Sequence, residues 1–267
     1  MAGLEPDGGL GVHPYQKWGG AHWRLVSLVE LGVRGDEPLA GVAADHVLEW
    51  LTGESRQRGI RVINGLTRVH ASQEGNALAV CSRLGMSNEP RVRALAESLM
   101  ERQWPDGGWN CSRKKDARHS SFYESLSPLW GLVEYQRATG EPSCAGSIEQ
   151  VAEFFLRHGL FRSERTGDVI SSEWLNLHYP LYWHYDVLQG LIILGRAGKL
   201  GDPRTREALD HVEEKRLPDG RWSAGSSYWK RAGSKGSNVE VVDWGRRGPN
   251  EMITLNALRV LKAAGRT

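Results

Sequence analysis

Residues 178–186 read HYPLYWHYD, a run of tyrosines, one tryptophan and two histidines that ends on a carboxylate. An imidazole titrates near neutral pH, and beside a carboxylate it can serve as a general acid or base. His184 and Asp186 are therefore candidate catalytic groups, with Tyr182, Trp183 and Tyr185 as aromatic contacts for a substrate. On a helix, Tyr182 and Asp186 share one face, Leu181 and Tyr185 share another, and His184 falls between them. The competing reading is an aromatic packing patch in which hydrogen bonds satisfy His184.

A second stretch, HSSFYES at 119–125, adds His119 and Glu124 as candidate acid–base groups and Tyr123 as a substrate contact. Serine before a helix is usually a cap, and no G-x-S-x-G elbow is present, so Ser120 and Ser121 read as caps rather than nucleophiles. Pro128 either starts the following helix, leaving Glu124 in a loop, or kinks it. His22, Trp23, Glu74 and Glu251 stand where other helices begin and are candidate binding residues. In CSRKKDAR (111–118), Arg113 and Lys115 offer an anion site beside a helix start, against the plainer reading of a solvated charged loop. Cys111 and His119, eight residues apart, lack the spacing of a zinc site, so neither a metal nor a cofactor is expected.

These groups must be positioned by helices. Four acidic-proline turns, RGDEP, MSNEP, ATGEP and LGDPR, each separate two amphipathic runs, and EMITLNALRVLKAAG near residue 251 begins a fifth unit. The prolines Pro38, Pro90, Pro142 and Pro203 lie 52, 52 and 61 residues apart. A period of this size predicts an all-α array of hairpins, as a solenoid or a closed ring. No alternation supports a β-sheet of any size. If the first helix of each pair lies inside, the segments entering the inner helices face one cavity mouth. Those segments hold five of the nine histidines.

One junction sets this array apart. QWPDGGW (103–109) places Gln103, Asp106, Gly107 and Trp109 in the order Q-x-x-D-G-x-W, and Arg216, Asp219, Gly220 and Trp222 repeat it 113 residues later. Glycine permits the positive φ that stops a helix, and Asp can bond the turn backbone. The pattern resembles the QW motif of squalene and oxidosqualene cyclases, in the wider group that includes the β-subunits of protein prenyltransferases. The resemblance implies an α/α toroid of about five hairpins, complete or incomplete, in one domain over 1–267; within it the Gly-, Ser- and basic-rich segment 216–249 reads as an irregular flap or as a loosely ordered crossover. It also implies a hydrophobic, isoprenoid-like small-molecule substrate in a central aromatic cavity. The motif is structural in that group, so Trp109 and Trp222 are expected at corners and not at the chemistry.

The same comparison removes some chemistries. The DxDD and DDxxD acids are absent, which disfavours hopene-type cyclisation. When GGFxGRxNKxxDxC of the prenyltransferase β-subunits is aligned on Trp109, its Lys matches Lys115. Its zinc-binding Asp and Cys fall on Arg118 and Ser120, so zinc-dependent thiol prenylation is not expected. Because α/α toroids also carry polysaccharide lyases and glycosidases, acid–base cleavage of a sugar chain is the alternative, and a non-catalytic binding protein is a third.

Composition narrows the setting. A net charge of +2 gives no argument for nucleic acid or a membrane surface, and no apolar run is long enough to span a bilayer. Three scattered cysteines and an N-terminus without a signal-peptide pattern fit reduced thiols in a cytoplasmic protein. Eleven tryptophans against four phenylalanines suit tight corners or an aromatic cavity.

Overall fold

The structure is a computed structural model that describes residues 5–6, 8–33, 35–225 and 227–266. The chain divides into two compact units, Met1–Val151 and Ala152–Thr267. The predicted turn at 34–38 begins on Arg34, outside the described residues.

The first unit holds α1 (Ala21–Glu30), α2 (Pro38–Thr52), the short α3 (Glu54–Arg58), strands β1 (Arg61–Ile63) and β2 (Leu66–Arg68), α4 (Ala71–Arg83), α5 (Pro90–Glu101) and α6 (Phe122–Thr139). Pro38 and Pro90 open α2 and α5, where a missing N–H costs nothing, and the Glu89 carboxylate accepts from the N–H groups of Arg91 and Val92. The strands form a two-stranded antiparallel hairpin around Asn64 and Gly65, both at positive φ. α7 (Ala145–Arg157) spans the division between the units. In the second unit follow α8 (Val187–Arg196), α9 (Arg206–Glu214) and α10 (Glu251–Ala263).

Each amphipathic run read from the sequence is a helix, so the all-α class holds and the only sheet among the described residues is the small hairpin. No helix among the described residues is long and apolar enough to cross a membrane. Two sequence expectations need correction. The stretch 177–186 is not an α-helix: Pro180 disfavours one, Tyr182 takes a φ of 56°, and α8 begins only after Asp186. Tyr182 and Asp186 therefore do not share a helical face. Pro128 lies inside α6, which already begins at Phe122, so Glu124 occupies the first helical turn and not a loop.

α4 is the centre of the first unit, with every residue from Ala71 to Ser82 buried. It packs most extensively on α6. Small residues set that crossing: a Cβ on Gly75 would run into the backbone of Ser127 and Pro128, and one on Gly131 would meet the carbonyl of Gly75. Pro128, which has no N–H to bond, sits where the two backbones come together. The close approach fixes the first turn of α6 against the first turn of α4.

The two repeated junctions make matching hydrogen bonds. Trp109 Nε1 donates to the Leu99 carbonyl at 3.0 Å, and Trp222 Nε1 donates to the Val212 carbonyl at 2.6 Å. Both indoles are fully buried. Their backbone N–H groups donate to Ser125 Oγ and Thr254 Oγ1, each at 3.0 Å. Gln103 Nε2 reaches the carbonyl of Gly107 at 2.7 Å, and Arg216 Nε reaches that of Gly220 at 3.4 Å. A Trp at each corner thus binds the end of one helix and the start of another.

Segment 216–249 contains no helix among its described residues, yet it is anchored. Trp222, Trp229 and Glu240 are buried, and Lys230 and Val239 pair through an isolated bridge.

Candidate functional site

Polar residues are concentrated at one end of the buried helix. The first half of α4 carries Ser72, Gln73, Glu74 and Asn76, whereas Ala77 to Cys81 are all apolar or weakly polar. A buried polar group costs free energy unless it is paired, so such a half-helix either closes a hydrogen-bond network or serves a site. Here it closes a network of hydrogen bonds and ion pairs.

Glu124 is the hub. Its Oε2 accepts from the Ser72 N–H at 2.9 Å, and its Oε1 lies 3.2 Å from His70 Nδ1. The Cys111 thiol forms a third hydrogen bond to the same carboxyl. Burial pushes the Glu124 carboxyl up, but His70, the Ser72 N–H and Cys111 outweigh it and leave the group below its usual range. The α4 dipole acts in the same direction. Burial, reinforced by the adjacent carboxylate, pushes the Cys111 thiol up to about 12. The His70 side chain is 56% exposed and that of Glu124 only 9%, so the imidazole is the face of this group that meets solvent.

Beside it stands an ion cluster. Glu74 is 1% exposed and lies 3.8 Å from Arg56 and 3.5 Å from Arg102. Burial raises its carboxyl, and the two guanidinium groups oppose that. Neither Glu74 oxygen accepts a hydrogen bond from a described residue. Arg56 is held in place by Gln73 Oε1 at 2.5 Å and by the His70 carbonyl at 3.4 Å. Its guanidinium also lies over the Trp50 ring, 5.4 Å from the centroid.

An aromatic wall continues from Trp50. Tyr15, hydrogen-bonded to Gln73, packs within 5.7 Å of the rings of Trp50, His22 and Trp23. His22 is buried, with Nε2 3.4 Å from Asn76 Nδ2. Burial, with Arg56 adding to it, lowers its imidazole to about 3, so it is neutral at ordinary pH.

The first unit therefore brings together three of the predicted helix-entry segments, through His22, Glu74 and Glu124. Trp23 and Tyr123 belong to the same helix starts, Trp23 buried and Tyr123 half-buried. Sequence reasoning missed His70 and Cys111 as one group with Glu124, and it missed Tyr15, Arg56 and Arg102. His119, Arg113 and Lys115 are exposed on the loop that leads to α6. The carbonyl of His119 accepts from Asn110 Nδ2, and that of Lys115 accepts from Asn64 Nδ2. The structure shows these three on the solvated face of the loop.

In the second unit Asp186 caps α8. Its Oδ1 accepts from the Gln189 N–H at 2.9 Å, and its Oδ2 accepts from the His178 N–H at 2.8 Å. Its imidazole neighbour is His178, with Nδ1 at 3.4 Å, rather than His184. The His184 ring stacks between Trp183 and Tyr228, at 3.9 and 3.3 Å, and its Nδ1 lies 3.0 Å from the Leu181 carbonyl. The Tyr185 hydroxyl donates to the Leu160 carbonyl at 2.7 Å, and burial, with Asp186 nearby, holds it well above the usual phenol range. The Tyr182 hydroxyl donates to Glu240. Glu251 is exposed at the first position of α10. This arrangement closes hydrogen bonds around a buried helix cap.

No protein-family model matches the chain, and no curated protein matches it.

Proposed function

We propose that this chain is an enzyme of the α/α-toroid type found in squalene cyclases and prenyltransferase β-subunits, acting on a hydrophobic, isoprenoid-like small molecule. One observation carries the reading. A buried carboxylate, Glu124, is hydrogen-bonded at once to a solvent-facing imidazole, a thiol and a helix N-terminus, at the polar end of a buried helix. The reactive groups are therefore His70, Glu124 and Cys111, and not His184 and Asp186.

Glu124 fixes the His70 ring at Nδ1, and an imidazole held in place can take a proton from a bound molecule and return it. Tyr15 and Trp50 supply apolar surface beside it, and their π faces suit an electron-poor intermediate. Arg56 and Arg102 stand beside Glu74 at this end of the helix, and a guanidinium can hold an anionic head group. The matching Trp hydrogen bonds at Trp109 and Trp222 support the toroid part of the reading, because both corners turn a helix end in the same way.

The test is turnover. Purified protein is incubated with prenyl diphosphates, squalene and acidic oligosaccharides, and products are sought by mass spectrometry. The expected result is conversion of an isoprenoid, reduced by roughly 100-fold or more in Glu124→Gln and in His70→Ala, the usual worth of a general acid–base group. Cleavage of the oligosaccharide alone, or full activity in both variants, would refute the reading.

A further inference from the structure

We infer that His70, Cys111 and Glu124 form a three-ligand site for a zinc ion. The inference rests on the reading that this group is the reactive centre; with an ion bound, His70 Nδ1 is a ligand and no longer bonds Glu124, so the open position of the ion replaces the imidazole as the place where the proton is handled. His70 Nδ1, Cys111 Sγ and a Glu124 oxygen all lie within 4.8 Å of one another, the one group of this kind among the described residues.

Donor chemistry selects the ion. An imidazole, a thiolate and a carboxylate together match zinc, whereas magnesium and calcium take oxygen ligands alone. With thiol and carboxyl deprotonated, the set carries two negative charges and neutralises a divalent cation. Bond lengths of about 2.0–2.3 Å in a tetrahedron place donor atoms roughly 3.3–3.6 Å apart. His70 Nδ1 and Glu124 Oε1, at 3.2 Å, already have that spacing. Cys111 closes the remainder with a shift of about 1 Å. Cys111 and His70 both lie outside the helices and can adjust, while Glu124 is fixed on α6.

The surroundings fit a reactive rather than a purely structural ion. The Ser72 N–H holds the second Glu124 oxygen, as an outer-shell donor does for a ligating carboxylate. Three protein ligands leave a fourth position open, and the exposed His70 ring gives the site a face to solvent. Binding displaces the Cys111 thiol proton, which leaves to solvent, and no electron is transferred.

The experiment uses tag-free full-length protein, stripped with a chelator and titrated with zinc and, separately, with cobalt(II). We expect one equivalent of either ion per chain. The cobalt form should show a thiolate-to-metal band in the near ultraviolet and visible bands of four-coordinate intensity. Cys111→Ser should abolish the near-ultraviolet band while Cys81→Ser and Cys144→Ser retain it. His70→Ala, whose side chain is exposed and which should keep the fold by circular dichroism, should weaken binding beyond the roughly 10–100-fold typical of an outer-shell partner. Absence of stoichiometric binding, or binding unchanged in Cys111→Ser and His70→Ala, overturns the site. Stoichiometric metal without turnover on any isoprenoid supports the site and counts against the proposed reaction. Turnover that depends on Glu124 in protein that binds no metal overturns the site and keeps the reaction.

Discussion

Replacing Gly75 by alanine tests the packing that assembles the candidate site. In an isolated helix the change is favourable by about 1 kcal/mol, because glycine is the more flexible residue in the unfolded chain. In α4 the new Cβ would fall among the backbone atoms of Ser127 and Pro128, well inside the ~3.5–4.0 Å at which carbon atoms rest against one another. Backbone cannot rotate away as a side-chain tip can, so α4 and α6 must separate. Overpacking of this kind costs about 1–3 kcal/mol, and the rigid obstacle puts it at the upper end. The expected net loss is about 1–2 kcal/mol. Gly41 in α2 is the control, because beyond the neighbouring backbone of its own helix no heavy atom of a described residue lies within 4 Å of its Cβ position. There the same substitution should gain about 0.5–1 kcal/mol. Thermal unfolding followed by tryptophan near-ultraviolet circular dichroism should separate the two variants by roughly 5–10 °C, with wild type between them. Gly75→Ala should also loosen the contact between Glu124 and the Ser72 N–H, and so reduce amide protection at the start of α4. A Gly75→Ala protein that melts at or above wild type, with α4 protection intact, would refute the close-crossing account.

Two further outcomes follow from buried groups. The unfolded chain protonates its histidines near pH 6.5, whereas native His22 stays neutral down to about 3, so the unfolded state binds the extra proton in that window. Stability should be flat in this respect above pH 6.5 and should fall toward pH 3 by roughly 4–5 kcal/mol. Urea midpoints measured from pH 7 to pH 3.5 should drop more steeply in wild type than in His22→Gln, and equal slopes would contradict the burial of a neutral ring. Asp186→Ala removes a helix cap and should cost about 0.5–2 kcal/mol. Because the residue is assigned to the cap, turnover per folded molecule should not change; a large loss of turnover in fully folded Asp186→Ala would return Asp186 to the chemistry.

The helices and their ends were legible in the sequence, because they depend on local causes. Apolar residues at helical spacing, proline in a first turn and glycine at positive φ act within a few residues, so the nine runs and three of the four turns could be placed from the sequence and lie within the described residues. The Gln103–Trp109 and Arg216–Trp222 corners were legible for the same reason. Even the local reading failed at HYPLYWHYD, where composition suggested a helix face; Pro180, the positive φ of Tyr182 and the capping role of Asp186 make it irregular. The site was a different matter. His70 lies 41 residues before Cys111 and 54 before Glu124, and no local pattern joins them. They meet only because Gly75 and Gly131 let α4 and α6 cross at backbone contact, which sets the first turn of one helix against that of the other. The sequence did carry one sign of this, the run SQEGN at the head of an otherwise apolar helix. Its meaning depends on burial, and burial is a property of the packed chain: polar side chains that water would satisfy on a surface helix must, inside, be satisfied by groups brought from far along the sequence.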